Sequence, residues 1–254
     1  MASALFCALG FSPASAAELR LTLGELASLV AAVTEGAKLH LDNQPGGIFS
    51  MASGSYIEIA GKQTPITLPV KTFNVFGSTY AYYVADLNSQ SIRVSAVESA
   101  VRITLSFGSN EGDFVADCIA GECGLTKALP KVVWRNGSIA IDVAPVRFGT
   151  SIALAVRNVT IGGVISARCG SGLSGGLCEL ALPYANRTIA QLKPKISSEI
   201  KAKVNDPQMQ ETVANVLKKY LTVGQAGEIV ISDVSTGAST VTIKFLLPGT
   251  GAGG

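Results

Sequence analysis

The chain has 254 residues, 48% of them hydrophobic and 15% charged, with a formal net charge of +2 and a mean hydropathy of +0.39. A soluble domain usually carries about 25% charged residues, yet no apolar run here reaches the roughly 20 residues of a membrane-spanning helix. The 20 Lys and Arg form no long block, which argues against nucleic acid, so the apolar surplus must fill a core or serve a ligand, a lipid or a partner.

Met1 to Ala17 reads as a signal-peptide apolar region without its basic start, ending in Ala14-Ser15-Ala16 with cleavage expected after Ala16. Its run of about 11 residues is too short to cross a bilayer. Bulky Phe6 before Cys7 argues against a lipoprotein site. Residues 17–248 are then expected to form one elongated domain, and 249–254 a disordered tail.

The first element is a helix from Thr22 to Thr34. Thr22 and Glu25 form a T-x-x-E capping box, Leu23, Leu26, Val30 and Val33 repeat at helical spacing, and Gly36 closes it. Gln44-Pro45-Gly46-Gly47 reads as a loop. From about Tyr56 to Leu182 the period becomes two. Ile92, Val94 and Ala96 share one face, and Val101, Ile103, Leu105 and Phe107 continue on the opposite parity, which predicts one long strand with a β-bulge. Asn136-Gly137, between Val132-Val-Trp and Ile139-Ala-Ile, predicts a type I′ hairpin. Ile152, Leu154 and Val156 alternate next, and Val159 and Ile161 follow on shifted parity, a second predicted bulge. Gly162-Gly163 is expected to turn or bend the chain.

The helical period returns at Asn186, with Ile189, Leu192, Ile196, Ile200 and Val204 as one stripe. Lys193, Lys195, Lys201 and Lys203 read as its solvated face. Asp206-Pro207 marks a fresh start, Asp206 as N-cap and Pro207 at N1. Met209, Val213, Val216, Leu217 and Tyr220 carry the second helix to Gly224. Two strands close the chain, Ile229-Val-Ile231 and Val241 to Phe245.

With Cys7 in the leader, four cysteines remain, and an even number in an exported chain predicts disulfides. The expected pairs are local: Cys118 with Cys123, and Cys169 with Cys178. A four-thiolate zinc site fits the wide spacing of the second pair poorly. The loop between Cys169 and Cys178 contains Gly170, Gly172 and Gly175 as G-x-G-x-x-G, and Gly172-Leu-Ser174-Gly-Gly176 as G-x-S-x-G. The first string lacks its βαβ unit, and the second lacks a histidine partner other than His40. A flexible disulfide-bracketed loop accounts for both. His40 reads as a solvated residue on the polar face of a short strand. Asn110, Glu111, Asp113 and Asp117 lack an EF-hand pattern. Asn136, Asn158 and Asn186 head sequons. No nucleophile–base pair, metal set or cofactor motif emerges, so an enzyme is not expected and no cofactor is implied.

The fold expected is α+β: a long, curved, mostly antiparallel sheet wrapped on an N-terminal helix and a long C-terminal helical segment. In its order of features, Thr22–Thr34, the strands Ile92–Phe107 and Ile139–Ile161, and the helices Ile189–Leu221, the chain resembles the tubular lipid-binding superfamily. The resemblance implies that a lipid or other hydrophobic small molecule is buried between helix and sheet. The groove's expected lining is Val94, Val101, Ile103, Leu105, Leu154 and Val156 from the strands, with Ile196, Ile200, Val213 and Leu217 from the helices. An exported protein, periplasmic or extracellular, with a membrane surface or another envelope protein as a further partner, fits this reading. The alternatives are a secreted β-rich protein assembling through sheet edges and an outer-membrane barrel. The roughly 36-residue helical segment and the Gly-rich C-terminus argue against the barrel.

Overall fold

Alternating apolar residues and three helical stripes together produce a curled antiparallel sheet that wraps its helices. The computed structural model describes residues 16–43, 54–68, 70–108, 114–124, 129–169, 175–221 and 230–246. Residues 1–15 of the expected leader, the expected loop at Gln44–Gly47, Asn110, Glu111, Asp113, residues 170–174 and the expected tail 249–254 lie outside the described residues.

Strand β1 (Ala16–Thr22) leads directly into helix α1 (Leu23–Val33). The capping box is present: the Glu25 amide donates to Thr22 Oγ1 at 3.2 Å, and the Thr22 amide donates back to Glu25 Oε2 at 2.8 Å. Leu23, Leu26, Ala27, Val30 and Val33 form the buried stripe of α1. β1 was not foreseen as a strand. It pairs antiparallel with β13 (Thr240–Leu246), which also pairs β12 (Val230–Thr236), giving a small three-stranded sheet.

The large sheet contains β2 (Lys38–Leu41), β3 (Tyr56–Ile59), β4 (Lys62–Pro65), β5 (Lys71–Val75), β6 (Ser78–Val84), β7 (Leu87–Val97), β8 (Ala100–Phe107), β9 (Phe114–Ala120), β10 (Lys131–Phe148) and β11 (Ser151–Arg168). Its spatial order is β4-β3-β2-β7-β8-β10-β9-β6-β5, with β11 on the other side of β10. β10 is the spine. One edge pairs with β11 from end to end; the other carries β8 along Ser138–Val143 and β9 at Val132.

Two local signals exchanged places relative to expectation. The stretch from Ile92 to Phe107 is a hairpin, not one bulged strand: β7 turns at Glu98-Ser99, Ser99 has φ 52°, and Val94 faces Ile103 across the ladder. Asn136-Gly137 is a bulge inside β10, not a hairpin. The reason is tertiary. Trp134 lies over Gly137 so closely that a Cβ there would come within 2.7 Å of the ring, while its Nε1–H donates to the Gly162 carbonyl at 2.8 Å. Opposite, Gly163 (φ 80°) leaves no room for a Cβ, which would meet the Asn136 carbonyl oxygen at 2.5 Å. Only glycine allows the two strands to approach this way. The second predicted bulge is present, with Arg157 extruded between Val156 and Asn158. These irregularities bend the β10–β11 ribbon, since a bulge increases local twist.

Helix α2 (Gly175–Val204) begins 11 residues before the expected Asn186. Pro183 and Pro194 lie inside it, both exposed, as are Glu179 and Ala190, whose carbonyls they leave without a partner in the helix. α3 (Pro207–Leu221) starts as expected, with the Gln208 amide donating to Asp206 Oδ1 at 3.0 Å. Both helices cover β11, and α2 also reaches β5 on the far arm.

A polar stripe registers α2 on the free edge of β11. Lys193 Nζ donates to Gly163 O (2.9 Å), Ser197 Oγ to Val159 O (2.8 Å) and Lys201 Nζ to Arg157 O (3.1 Å). Asn205 Oδ1 accepts from the Val156 amide at 2.8 Å, and Gln210 of α3 donates to Leu154 O at 2.8 Å. Lys193, Ser197 and Lys201 of α2 and Asn205, just past its end, recur every fourth residue, one helical face. An 18-residue edge strand would otherwise expose a row of backbone donors and acceptors. Lys193 and Lys201 are therefore not merely solvated, as expected from the sequence; they cap strand carbonyls.

Candidate functional site: a cleft between the first helix and the sheet

The ten residues expected to line a groove belong to one contiguous apolar cluster. Eight are buried: Val101, Leu105, Leu154, Val156, Ile196, Ile200, Val213 and Leu217. Val94 and Ile103 are half-buried at the margin of that cluster. Direct cross-strand neighbours share a face, so Val94 and Ile103 extend the buried row that Leu105 and Val101 occupy.

Above Val94 the cluster opens into a cleft of about 640 Å³. Its floor is Ile92 and Val94 of β7, and its wall is Ala31, Ala32 and Ala37 at the end of α1. The rim is polar, with Thr34, Glu35, Lys38, Ser89, Gln90 and Ser91. Two of these polar groups are already engaged by backbone. Thr34 Oγ1 donates to Val30 O at 2.8 Å, and Ser89 Oγ accepts from the Leu39 amide at 3.0 Å. Glu35, Lys38 and Gln90 stand at the rim, Gln90 being the extra residue where the β7–β8 register shifts. The alanines make the opening: α1 presents its large side chains to the core and its small ones to β7.

The volume lies within the roughly 300–1,000 Å³ range of small-molecule sites, and an apolar floor under a polar rim suits an amphipathic molecule. Sequence reasoning named Val94 and its neighbour Ile103 but missed Ile92 and the wall. The available signal was Ala31-Ala32 with Gly36-Ala37, small residues clustered at one helix end.

The other singled-out residues fall elsewhere. His40 is buried, contrary to the solvated position expected, because β3 and β7 flank β2 on both sides. Its Nδ1 lies 2.9 Å from Asn88 Oδ1, and its Nε2 has no hydrogen-bond partner among the described residues. The disulfides are Cys118–Cys123 and Cys169–Cys178, both local as expected. Cys169–Cys178 fastens the start of α2 to the end of β11. Among the described residues no three His, Cys, Asp or Glu side chains gather as a metal set.

Among solved structures, the chain is similar to a lipopolysaccharide binding protein, with 13% identity and a TM-score of 0.34 over 71% of this chain and 43% of that one. The chain thus spans less than half the length of that protein. At this identity and score the likeness says nothing about what this chain binds. No family model and no curated protein matches the sequence.

Proposed function

We propose that the protein is a non-enzymatic binder of a lipid or other hydrophobic small molecule, with the apolar part of the ligand lying in the cleft between α1 and β7. The observation that carries this reading is the half-buried pair Ile92 and Val94. It lies on the core face of the sheet yet opens to a 640 Å³ space instead of being closed over by a helix. Val101 and Leu105, the buried members of the row, belong to the core beside the cleft, and the ligand reaches Leu154, Ile196 or Leu217 only if α2 and α3 separate from β11. Glu35, Lys38 and Gln90 are placed to meet a polar headgroup. Two disulfides fit residence in an oxidising, exported compartment.

The test has two steps. Organic extraction of the purified protein followed by mass spectrometry should find co-purified lipid. The delipidated protein should then take up a fluorescent fatty acid, and Val94→Trp should weaken that uptake at least tenfold by filling the cleft. Protein that yields no lipid and takes up no acyl probe rejects the reading, as does uptake indifferent to Val94→Trp.

A further inference from the structure

The small sheet β1-β13-β12 has one sealed edge and one open edge. On the outer side of β12 the Ile231 amide donates to Thr150 O at 2.9 Å, and Arg147 Nη1 donates to Ser232 O at 3.0 Å. Edges of the large sheet are guarded too. α2 bonds along β11 and reaches β5, and β4 is a strand of four residues whose Pro65 has no amide to offer. β1 has none of these devices. Its ladder with β13 runs over seven residues, Ala16 to Thr22, without a bulge or a proline.

The register fixes which groups face outward. Leu23 donates its amide to Ser239 O at 3.0 Å, and inward and outward bonding alternate along an antiparallel ladder. Leu21, Leu19 and Ala17 therefore bond to β13, while the amides and carbonyls of Glu18 and Arg20 point to the open edge. The Thr22 amide points the same way and is taken by Glu25 Oε2. Among the described residues nothing bonds to the outward backbone of Glu18 or Arg20. The side chains alternate as well: Ala17, Leu19 and Leu21 are half-buried against the core, and Glu18 and Arg20 are exposed on the other face.

Charged side chains on an edge normally repel another copy of the same strand. On β1 the two charges are opposite in sign and two residues apart. Pairing a second copy antiparallel, about a two-fold axis beside Leu19, sets Glu18 opposite Arg20 of the second copy and Arg20 opposite its Glu18. These residues then exchange their outward amides and carbonyls as hydrogen-bonded pairs. Leu19 meets Leu19 of the second copy in the close, non-hydrogen-bonded position between them. Leu21 faces Ala17 of the second copy, so half-buried apolar surface is covered on the same face. The neighbouring in-phase registers are worse, one setting Glu18 against Glu18 and the other Arg20 against Arg20. A slip of a single residue would put outward groups opposite groups already bonded to β13.

We propose that the open edge of β1 docks a second copy of the chain, giving a two-fold dimer whose small sheets join as β12-β13-β1-β1-β13-β12. The contact is a single strand pair, so the dimer is concentration-dependent. The proposal goes beyond the ligand reading. The cleft lies at the other end of α1 and shares no residue with β1, so dimerisation and acyl-probe uptake fail independently.

Sedimentation velocity of the full chain over a concentration series should show a monomer–dimer equilibrium. Arg20→Pro should abolish it, because proline removes an outward amide and leaves the bonds to β13 intact. The circular dichroism of that variant should match the parent's. Glu18→Arg and Arg20→Glu each set like charges opposite one another at both symmetric pairs, and each should weaken dimerisation by about tenfold. Mixed together, the two charge variants should pair about as well as the parent, since every facing pair is again unlike. A chain that stays monomeric throughout the series overturns the proposal. So does a dimer that survives Arg20→Pro, which places the contact elsewhere, or a pair of charge variants that does not recover on mixing. If Arg20→Pro fails to fold, the mixing experiment decides alone.

Discussion

The β10–β11 side and the β7–β8 side of the sheet are built from the same alternation of Val and Ile but end differently. On the first, Ile139, Ile141 and Val143 are sealed within the core. On the second, Ile92, Val94 and Ile103 are left half-covered. The difference lies in what covers them. α2 has 30 residues and a polar stripe that bonds to the edge of β11, whereas α1 has 11 residues and ends in small side chains. Strand alternation thus says which face is apolar, but the length and edge chemistry of the helix decide whether that face becomes core or cleft.

The comparison is broken most severely from the closed side. Ile200 has no exposed surface between α2 and the sheet, so Ile200→Ala should cost about 2–5 kcal/mol in urea unfolding. An equivalent truncation at the open side, Val94→Ala, should cost under about 1.5 kcal/mol, since half of that side chain's surroundings are already solvent. Equal losses at the two positions would mean that the cleft is closed in solution.

The Cys169–Cys178 bridge tests how α2 is held. Replacing both cysteines with serine should lower stability by about 2–3 kcal/mol, the chain-entropy value for so short a loop. Hydrogen exchange should then rise first in the opening turns of α2. The polar stripe is the next smaller effect. Asn205→Ala removes the acceptor of the Val156 amide beside the Arg157 bulge, a loss of about 1–3 kcal/mol. Ser197→Ala, which removes one neutral bond to Val159 O, should cost about 1 kcal/mol. A double variant that leaves the protein soluble but self-associating beyond the parent would show that the stripe protects the β11 edge.

How much of this was legible in the sequence depends on whether the deciding contact is local. The α1 capping box, the Asp206-Pro207 start of α3, both disulfides and the Arg157 bulge are set by residues a few positions apart, and all were readable. The hairpin and the bulge exchanged places for a physical reason. A two-residue hairpin pairs residues whose numbers sum to an odd value, as Val94 with Ile103, so it reverses parity just as a bulge does. Asn-Gly supplies the backbone freedom that either structure needs. Trp134, stacked on Phe107 at 5.2 Å and lying on Gly137, settles the matter, and no local pattern announces it. The early start of α2 was hidden because its buried positions there are Cys178, Ala181 and Ala185, too small to register as a stripe, and Pro183 reads as a breaker. Of the cleft only Val94 was legible; its alanine wall is an arrangement of absences.

The smallest effect tests the seam where the two sides meet. Arg102 of β8 pairs with Asp142 of β10 across the ladder, Nε to Oδ1 at 2.6 Å and Nη2 to Oδ2 at 2.9 Å. The Arg102 guanidinium holds the Asp142 carboxyl below its ordinary value. A carboxyl depressed in the folded state adds stability that is full above its unfolded value of about 3.9 and is lost as pH falls through the folded one. Urea midpoints should therefore decline on acidification below about pH 4, less steeply for Asp142→Asn than for the parent. The pair lies at the outer face and is partly solvated, so the difference should be small and should shrink further in salt. If Asp142→Asn follows the parent's acid limb unchanged, the seam is held by the Val101–Val143 and Ile103–Ile141 rows alone, and the open and closed sides are joined purely through their shared apolar face.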